Sequence, residues 1–215
     1  SEADARMMNN ICFDAFTIGN HEFDTGDAGL AEFLQELGTE SCPTVKLGAN
    51  IKPKVGQSPL TPDREWQMFQ PYTIVERGGE EIAIIGLDIA SKTKKSSQPD
   101  ETTEFLDELE TARKYIAEVQ QQGIEKIVLL THIQYERDKE LVQQLPGVDI
   151  VIGGDSHTLL GDFSDFGMES DGPYPTELTN ADGDKVCIGH AYQYSLVVGE
   201  MQAVFEGDKI AECGG

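Results

Sequence analysis

The stretch Asp14-Ala15-Phe16-Thr17-Ile18-Gly19-Asn20-His21-Glu22-Phe23-Asp24 decides how this chain is read. Its first half is an apolar run of strand length. Gly19 then lets the backbone turn, and an amide, an imidazole and a carboxylate follow within five residues. Asn and His both ligate first-row metals, and a carboxylate three positions after His21 can orient its ring. Two later segments repeat the design: Leu130-Thr131-His132 and Gly153-Gly154-Asp155-Ser156-His157 each follow a strand-like apolar run. One histidine at a strand end is ordinarily a hydrogen-bonded loop residue. Three in a chain that has four read instead as one site gathered from loops at the carboxyl edge of a sheet, where open α/β folds hold their ligands.

Hydrophobic periodicity alternates between strand and helix along the rest of the chain. A helix is expected over residues 3–11, with Ser1-Glu2-Ala3-Asp4-Ala5 as its capped start. A second is expected over Leu30–Leu37, where Leu30, Phe33, Leu34 and Leu37 share a face. Val45–Ala49 reads as a strand and Ile51–Gln70, with three prolines, as a loop. Tyr72–Glu76 and Glu81–Leu87 read as a hairpin turning at Arg77-Gly78-Gly79-Glu80. Lys92-Thr93-Lys94-Lys95, the one dense basic run, reads as an exposed loop, and Asp88, after a strand, as either a residue at the site edge or one open to solvent. A long helix is expected over Thr103–Gln121, ended by Gly123. Strands over Ile127–Leu130 and Val148–Ile152, with a helix over Asp138–Leu145 between them, deliver His132 and then Asp155 and His157. Asp162–Thr176 reads as an irregular loop. Val186–Ile188, Leu196–Val198 and Met201–Phe205 read as closing strands, with a turn at Glu206-Gly207-Asp208-Lys209. The alternation implies an α/β sandwich with mixed sheets inside, helices outside and chemistry at one edge.

Composition narrows the partners. At 215 residues and 39% hydrophobic content the chain can bury the core of one globular domain, and no apolar run approaches the roughly 20 residues of a membrane span. Sixteen basic against 39 acidic residues give a formal net charge of −23, which argues against a nucleic-acid polymer or an anionic membrane as principal partner. A small phosphate ester meets the same repulsion unless bound divalent cations reverse the local sign. Cys12, Cys42, Cys187 and Cys213 form no CxxC pair or zinc-type spacing. Their even number permits one or two disulfides or buried thiols. Ser156 and Ser195 lack the Gly-x-Ser-x-Gly setting of a hydrolase nucleophile.

The Gly19–Asp24 segment, the Leu130–His132 and Gly153–His157 motifs, and the runs Val45–Asn50 and Ile82–Leu87 together resemble the 5′-nucleotidase/UDP-sugar hydrolase branch of the calcineurin-like metallophosphoesterases, nearly end to end. The resemblance implies a four-layer α/β/β/α sandwich and hydrolysis of 5′-nucleotides or related phosphate esters by metal-activated water. It also implies two divalent metal ions (Mn, Zn or Mg) and a periplasmic, secreted or cell-surface location. By the same resemblance Asn20 and His132 ligate one metal, His21 is the catalytic histidine and Asp24 its orienting carboxylate. Asp155 and His157 stand where relatives carry further metal ligands. Most relatives have His at the place of Asp155, so an oxygen ligand there implies a harder donor set that favours Mn²⁺ or Mg²⁺ relative to Zn²⁺. His190 falls outside the motifs and reads as structural or substrate-adjacent.

The Asp-x-His and Gly-Asp motifs with which relatives begin are not in these 215 residues. The chain is therefore expected to be the central and later part of a catalytic domain, N-terminally truncated, holding at most a partial metal site and inactive alone. The alternatives are a non-catalytic binding or scaffold domain on the same fold, or a related nucleotide-sugar, cyclic-nucleotide or sulfur-ester hydrolase.

Overall fold

The computed structural model describes residues 2–215, so the cap expected at Ser1 lies outside the described residues. The first half of the chain runs α1 (Glu2–Ile11), β1 (Ala15–Thr17), α2 (Gly26–Glu36), β2 (Val45–Leu47), β3 (Ile51–Pro53), β4 (Tyr72–Arg77), β5 (Glu80–Asp88) and α3 (Ala90–Ser96). The second half runs β6 (Thr103–Phe105), α4 (Glu108–Gln121), β7 (Lys126–His132), α5 (Tyr135–Val142), β8 (Ile150–Gly153), β9 (Thr176–Thr179), β10 (Lys185–His190), β11 (Gln202–Glu206) and β12 (Lys209–Gly214). This is the mixed α/β class expected. The backbone packs as two compact units, residues 1–75 with 84–115 and residues 76–83 with 116–215.

In the first unit β1 and β2 pair in parallel, Ala15 opposite Val45 and Thr17 opposite Leu47. Ile18, Phe23, Leu30, Leu34, Ile51, Leu60 and Phe105 form its core. Phe23 and Phe105 meet edge to face with centroids 5.2 Å apart, so truncating either would cost about 3–5 kcal/mol. The fully buried Asp27 ties loops to this core. It accepts hydrogen bonds from Ser58 Oγ at 2.6 Å, Thr103 Oγ1 at 2.5 Å and the Asp100 amide at 3.0 Å.

The second unit is built on β7, β8 and β10, which run parallel, with β9 antiparallel at the edge. The complete sheet has the order β4-β5-β7-β8-β10-β9. Gly78 and Gly79, both at positive φ (63° and 85°), make the expected turn between β4 and β5. On one face of the parallel strands Ile127, Leu129, Val151, Val186 and Ile188 are inaccessible to solvent, whereas on the other Ile152 is 38% exposed. Asp149, just before β8, accepts the Ile127 amide at 2.8 Å, and burial pushes its carboxyl up to about 7.

The structure corrects several expectations. Lys92–Lys95 is not a loop but the body of α3. Thr93 is buried there, and Lys94 and Lys95 fall in the last turn, where cations suit the helix dipole. The helix expected from Thr103 begins at Glu108, because Thr103–Phe105 is spent on β6, antiparallel to β3. That pairing also puts a strand inside the expected loop Ile51–Gln70. α2 and α5 start earlier than expected, at Gly26 and Tyr135. β9 and β12 were not expected, whereas Leu196–Val198 forms no strand. Asp88 is fully buried rather than solvent-exposed. All four cysteines pair, as Cys12–Cys42 in the first unit and Cys187–Cys213 in the second.

Candidate active site

In the first unit, β1 ends at Thr17 and the chain enters a short 3₁₀ turn, Asn20–Phe23. The turn is held from both sides. The Glu22 carboxylate accepts the Gly19 amide at 2.8 Å, the Asp24 amide donates to the His21 carbonyl at 3.1 Å, and Phe23 is sunk in the core. Burial raises the Glu22 carboxyl above its usual range, partly offset by that amide. With its neighbours fixed, His21 stands in solvent while its Nδ1 lies 2.8 Å from Asp24 Oδ2; the two side chains are 69% and 50% exposed. The pair expected from the sequence is therefore formed. Asn20 is fully buried, and its Nδ2 donates to Ser96 Oγ of α3 at 3.3 Å.

The second unit holds the other expected residues. His132 is the last residue of β7. β8 runs out at Gly153, and the Ser156 amide closes a three-residue turn onto the Gly154 carbonyl at 2.9 Å. Asp155 sits at the centre of that turn with φ 69°, a strained conformation of the kind kept at functional positions. The turn brings Asp155 Oδ1 to 3.6 Å from His132 Nε2. A Cβ on Gly154 would lie 3.1 Å from His132 Nδ1, so only glycine leaves the imidazole uncrowded. His157, also at positive φ (54°), is exposed beside the Tyr194 ring at 6.4 Å.

His132 and Asp155 fit a divalent cation as part of its coordination. Ligands about 2.1 Å from a tetrahedral ion stand about 3.4 Å from each other, close to the 3.6 Å found, and one nitrogen with one oxygen suits a borderline metal. Among the described residues no three His, Cys, Asp or Glu side chains converge to hold an ion.

Sequence reasoning passed over one group in this unit. Asp138, read only as a helix start, is fully buried in α5; its Oδ1 accepts from Thr131 Oγ1 at 2.7 Å and its Oδ2 lies 2.9 Å from His190 Nε2. Burial raises its carboxyl, and the contact with His190 opposes that. An acidic residue in the first turn of a helix is common, so the sequence signal was weak.

No protein-family model matches the chain. A calcineurin-like phosphoesterase of Bacillus subtilis aligns with a TM-score of 0.63 at 20% identity, over 87% of this chain and 57% of that one. The shared feature is the fold, that of the calcineurin-like phosphoesterases. The solved structure of the NAD nucleotidase of Haemophilus influenzae aligns with a TM-score of 0.91 at 37% identity, over 100% of this chain and 41% of that one. A probable 5′-nucleotidase of Treponema pallidum is 41% identical over 206 residues, 95% of this chain and 33% of that protein. The chain belongs to the 5′-nucleotidase family. It spans about a third of the length of the curated relatives it matches.

Proposed function

We propose that this protein is a metal-dependent phosphohydrolase acting on 5′-nucleotides or related phosphate esters. The observation that carries the proposal is the His21–Asp24 pair, a carboxylate-held imidazole on a turn fixed by Glu22 and Phe23. The names of the relatives, which include 5′-nucleotidases from Treponema to mammals, support the substrate class.

In this reading Asn20 and His132 are ligands of one divalent metal, Asp155 lies close enough to His132 to share that ion, and His157 contributes at the other. Bound divalent ions supply charge relief on the phosphoryl oxygens and activation of water for in-line displacement. His21 offsets charge developing on the phosphoryl oxygens and leaving group, and Asp24 keeps its ring in the orientation that requires. The 3₁₀ turn limits the motion of His21, so little ordering is needed as the transition state forms. The 215 residues alone are expected to turn over slowly or not at all, since among the described residues no three His, Cys, Asp or Glu side chains converge to hold an ion. A periplasmic, secreted or surface location fits the two disulfides. No described helix is long and apolar enough to cross a membrane.

The test is a substrate panel on the protein in its full natural length: AMP, UDP-glucose, a cyclic nucleotide and a thiosulfate ester, each with Mn²⁺, with Zn²⁺ and with chelator. The proposal expects chelator-sensitive phosphate release from AMP above the others. Preference for UDP-glucose, the cyclic nucleotide or the thiosulfate ester would reassign the substrate, and hydrolysis unaffected by chelator would overturn metal dependence.

A further inference from the structure

Resting on the reading of His132 and Asp155 as metal ligands, we infer that Asp138 is a positioning residue that sets the placement of both. The argument begins with the strand ends. β7, β8 and β10 are parallel neighbours in register, Leu130 opposite Ile152 and Gly153 opposite His190. Their carboxyl ends therefore carry Thr131-His132, Gly153-Gly154-Asp155 and His190 side by side. Asp138 joins the outer two of these ends: one carboxylate oxygen takes the Thr131 hydroxyl, the other meets the His190 ring.

The middle strand is shaped around the same carboxylate. A Cβ on Gly153 would lie 2.3 Å from Asp138 Oδ2 and 2.1 Å from His190 Nε2, so the network occupies the space a side chain would fill. Asp138 is itself fixed. Its helix begins where the Tyr135 amide donates to Ser156 Oγ at 3.0 Å, between Asp155 and His157 in the chain. The Tyr135 ring meets His190 edge-on at 5.4 Å, and its hydroxyl lies 2.8 Å from Thr176 Oγ1. Asp138, Thr131, Tyr135 and His190 are each less than a tenth exposed.

A buried carboxylate is a poor source of stability, because removing it from water costs free energy that its partners only offset. Leucine in its place would hold α5 against the sheet at lower cost. What leucine would not supply is direction: two hydrogen bonds of defined geometry to the residue before His132 and to the residue opposite Gly153. Losing them lets the backbone at His132 and the Gly153–Asp155 turn relax independently, and the 3.6 Å spacing of the two donors is no longer imposed. Removing a group that orients metal ligands typically weakens binding by about 10- to 100-fold.

The experiment is Mn²⁺ titration of the full-length protein without substrate, followed by calorimetry, on wild type, Asp138→Ala, Asp138→Asn, Thr131→Val and Thr131→Ser. Circular dichroism confirms folding at the titration temperature. The inference expects Asp138→Ala to bind Mn²⁺ about 10- to 100-fold more weakly, with Asp138→Asn recovering part of the loss. Thr131→Val should weaken binding and Thr131→Ser, which keeps the hydroxyl, should restore it. If Asp138→Ala does not fold, the Thr131 pair decides alone. Wild-type affinity in folded Asp138→Ala, or equal affinity in Thr131→Val and Thr131→Ser, would overturn the inference while leaving the metal site standing. No Mn²⁺ or Zn²⁺ binding by wild type would overturn the reading of His132 and Asp155 themselves, and this inference with it.

Discussion

The Thr93 hydroxyl stands 2.6 Å from Asp88 Oδ2, and the same oxygen stands 2.8 Å from the Ile89 carbonyl. One hydroxyl proton cannot serve both acceptors. If Asp88 is protonated, its Oδ2 hydroxyl donates to Thr93 and Thr93 donates to Ile89, so that the Thr93 oxygen and both of these partners are served. Burial pushes Asp88 up to about 7, with the charges of Glu22 and Glu108 adding to the effect.

A pH dependence of stability follows. The folded protein keeps the Asp88 proton up to about pH 7, whereas the unfolded chain releases it near its ordinary value of 3.8. The folded state therefore holds the extra proton across that window, and stability falls as pH rises from about 4 to about 7, by at most about 1.4 kcal/mol per pH unit from this group. Asp88→Asn, whose amide can donate to Thr93 at any pH, should flatten that part of the profile and be more stable than wild type at pH 8. Urea unfolding at pH 5 and pH 8 checks it; an unchanged pH slope in Asp88→Asn would contradict the assignment.

Asp24→Asn should separate orientation from binding. The variant keeps its shape but loses the charge that holds His21, so kcat for AMP is expected to fall about 10- to 100-fold with KM little changed. Steady-state kinetics at saturating Mn²⁺ read both constants. A rise in KM with constant kcat would place Asp24 in substrate binding instead.

Asp27→Ala strands the hydroxyls of Ser58 and Thr103 and the Asp100 amide in a buried place. The expected loss is about 3 kcal/mol or more, and Asp27→Asn, which keeps one acceptor oxygen, should lose less. Urea midpoints at constant m decide this.

The two disulfides close loops with sequence separations of 30 and 26 residues. Replacing either pair by alanine should cost about 2–4 kcal/mol. A melting temperature unmoved by loss of either pair would show that these cysteines add nothing to stability.

Much of the fold was legible where one local signal sufficed. Gly19 and the apolar run before it marked the strand-to-turn step that presents His21, and Gly78-Gly79 marked the hairpin. The parts that were not legible depend on distant partners. β3 and β6 are three residues each, too short to show a period of two, and they exist because Ile51 finds Phe105 across the unit. α3 was hidden by its lysines, since its one deep anchor, Thr93, is set by Asp88. The cluster around Asp138 was illegible for the same reason. Thr131, Asp138 and His190 are spread over almost sixty residues and meet only once the parallel register of β7, β8 and β10 is in place.

The most direct test of the central claim is phosphate release from AMP by the full-length protein with Mn²⁺ supplied, comparing wild type with His21→Ala. The account predicts metal-dependent release that falls at least about 100-fold in the variant. Release by His21→Ala at the wild-type rate, or no release by wild type with any divalent metal, would contradict it and favour a non-catalytic binding domain built on the same fold.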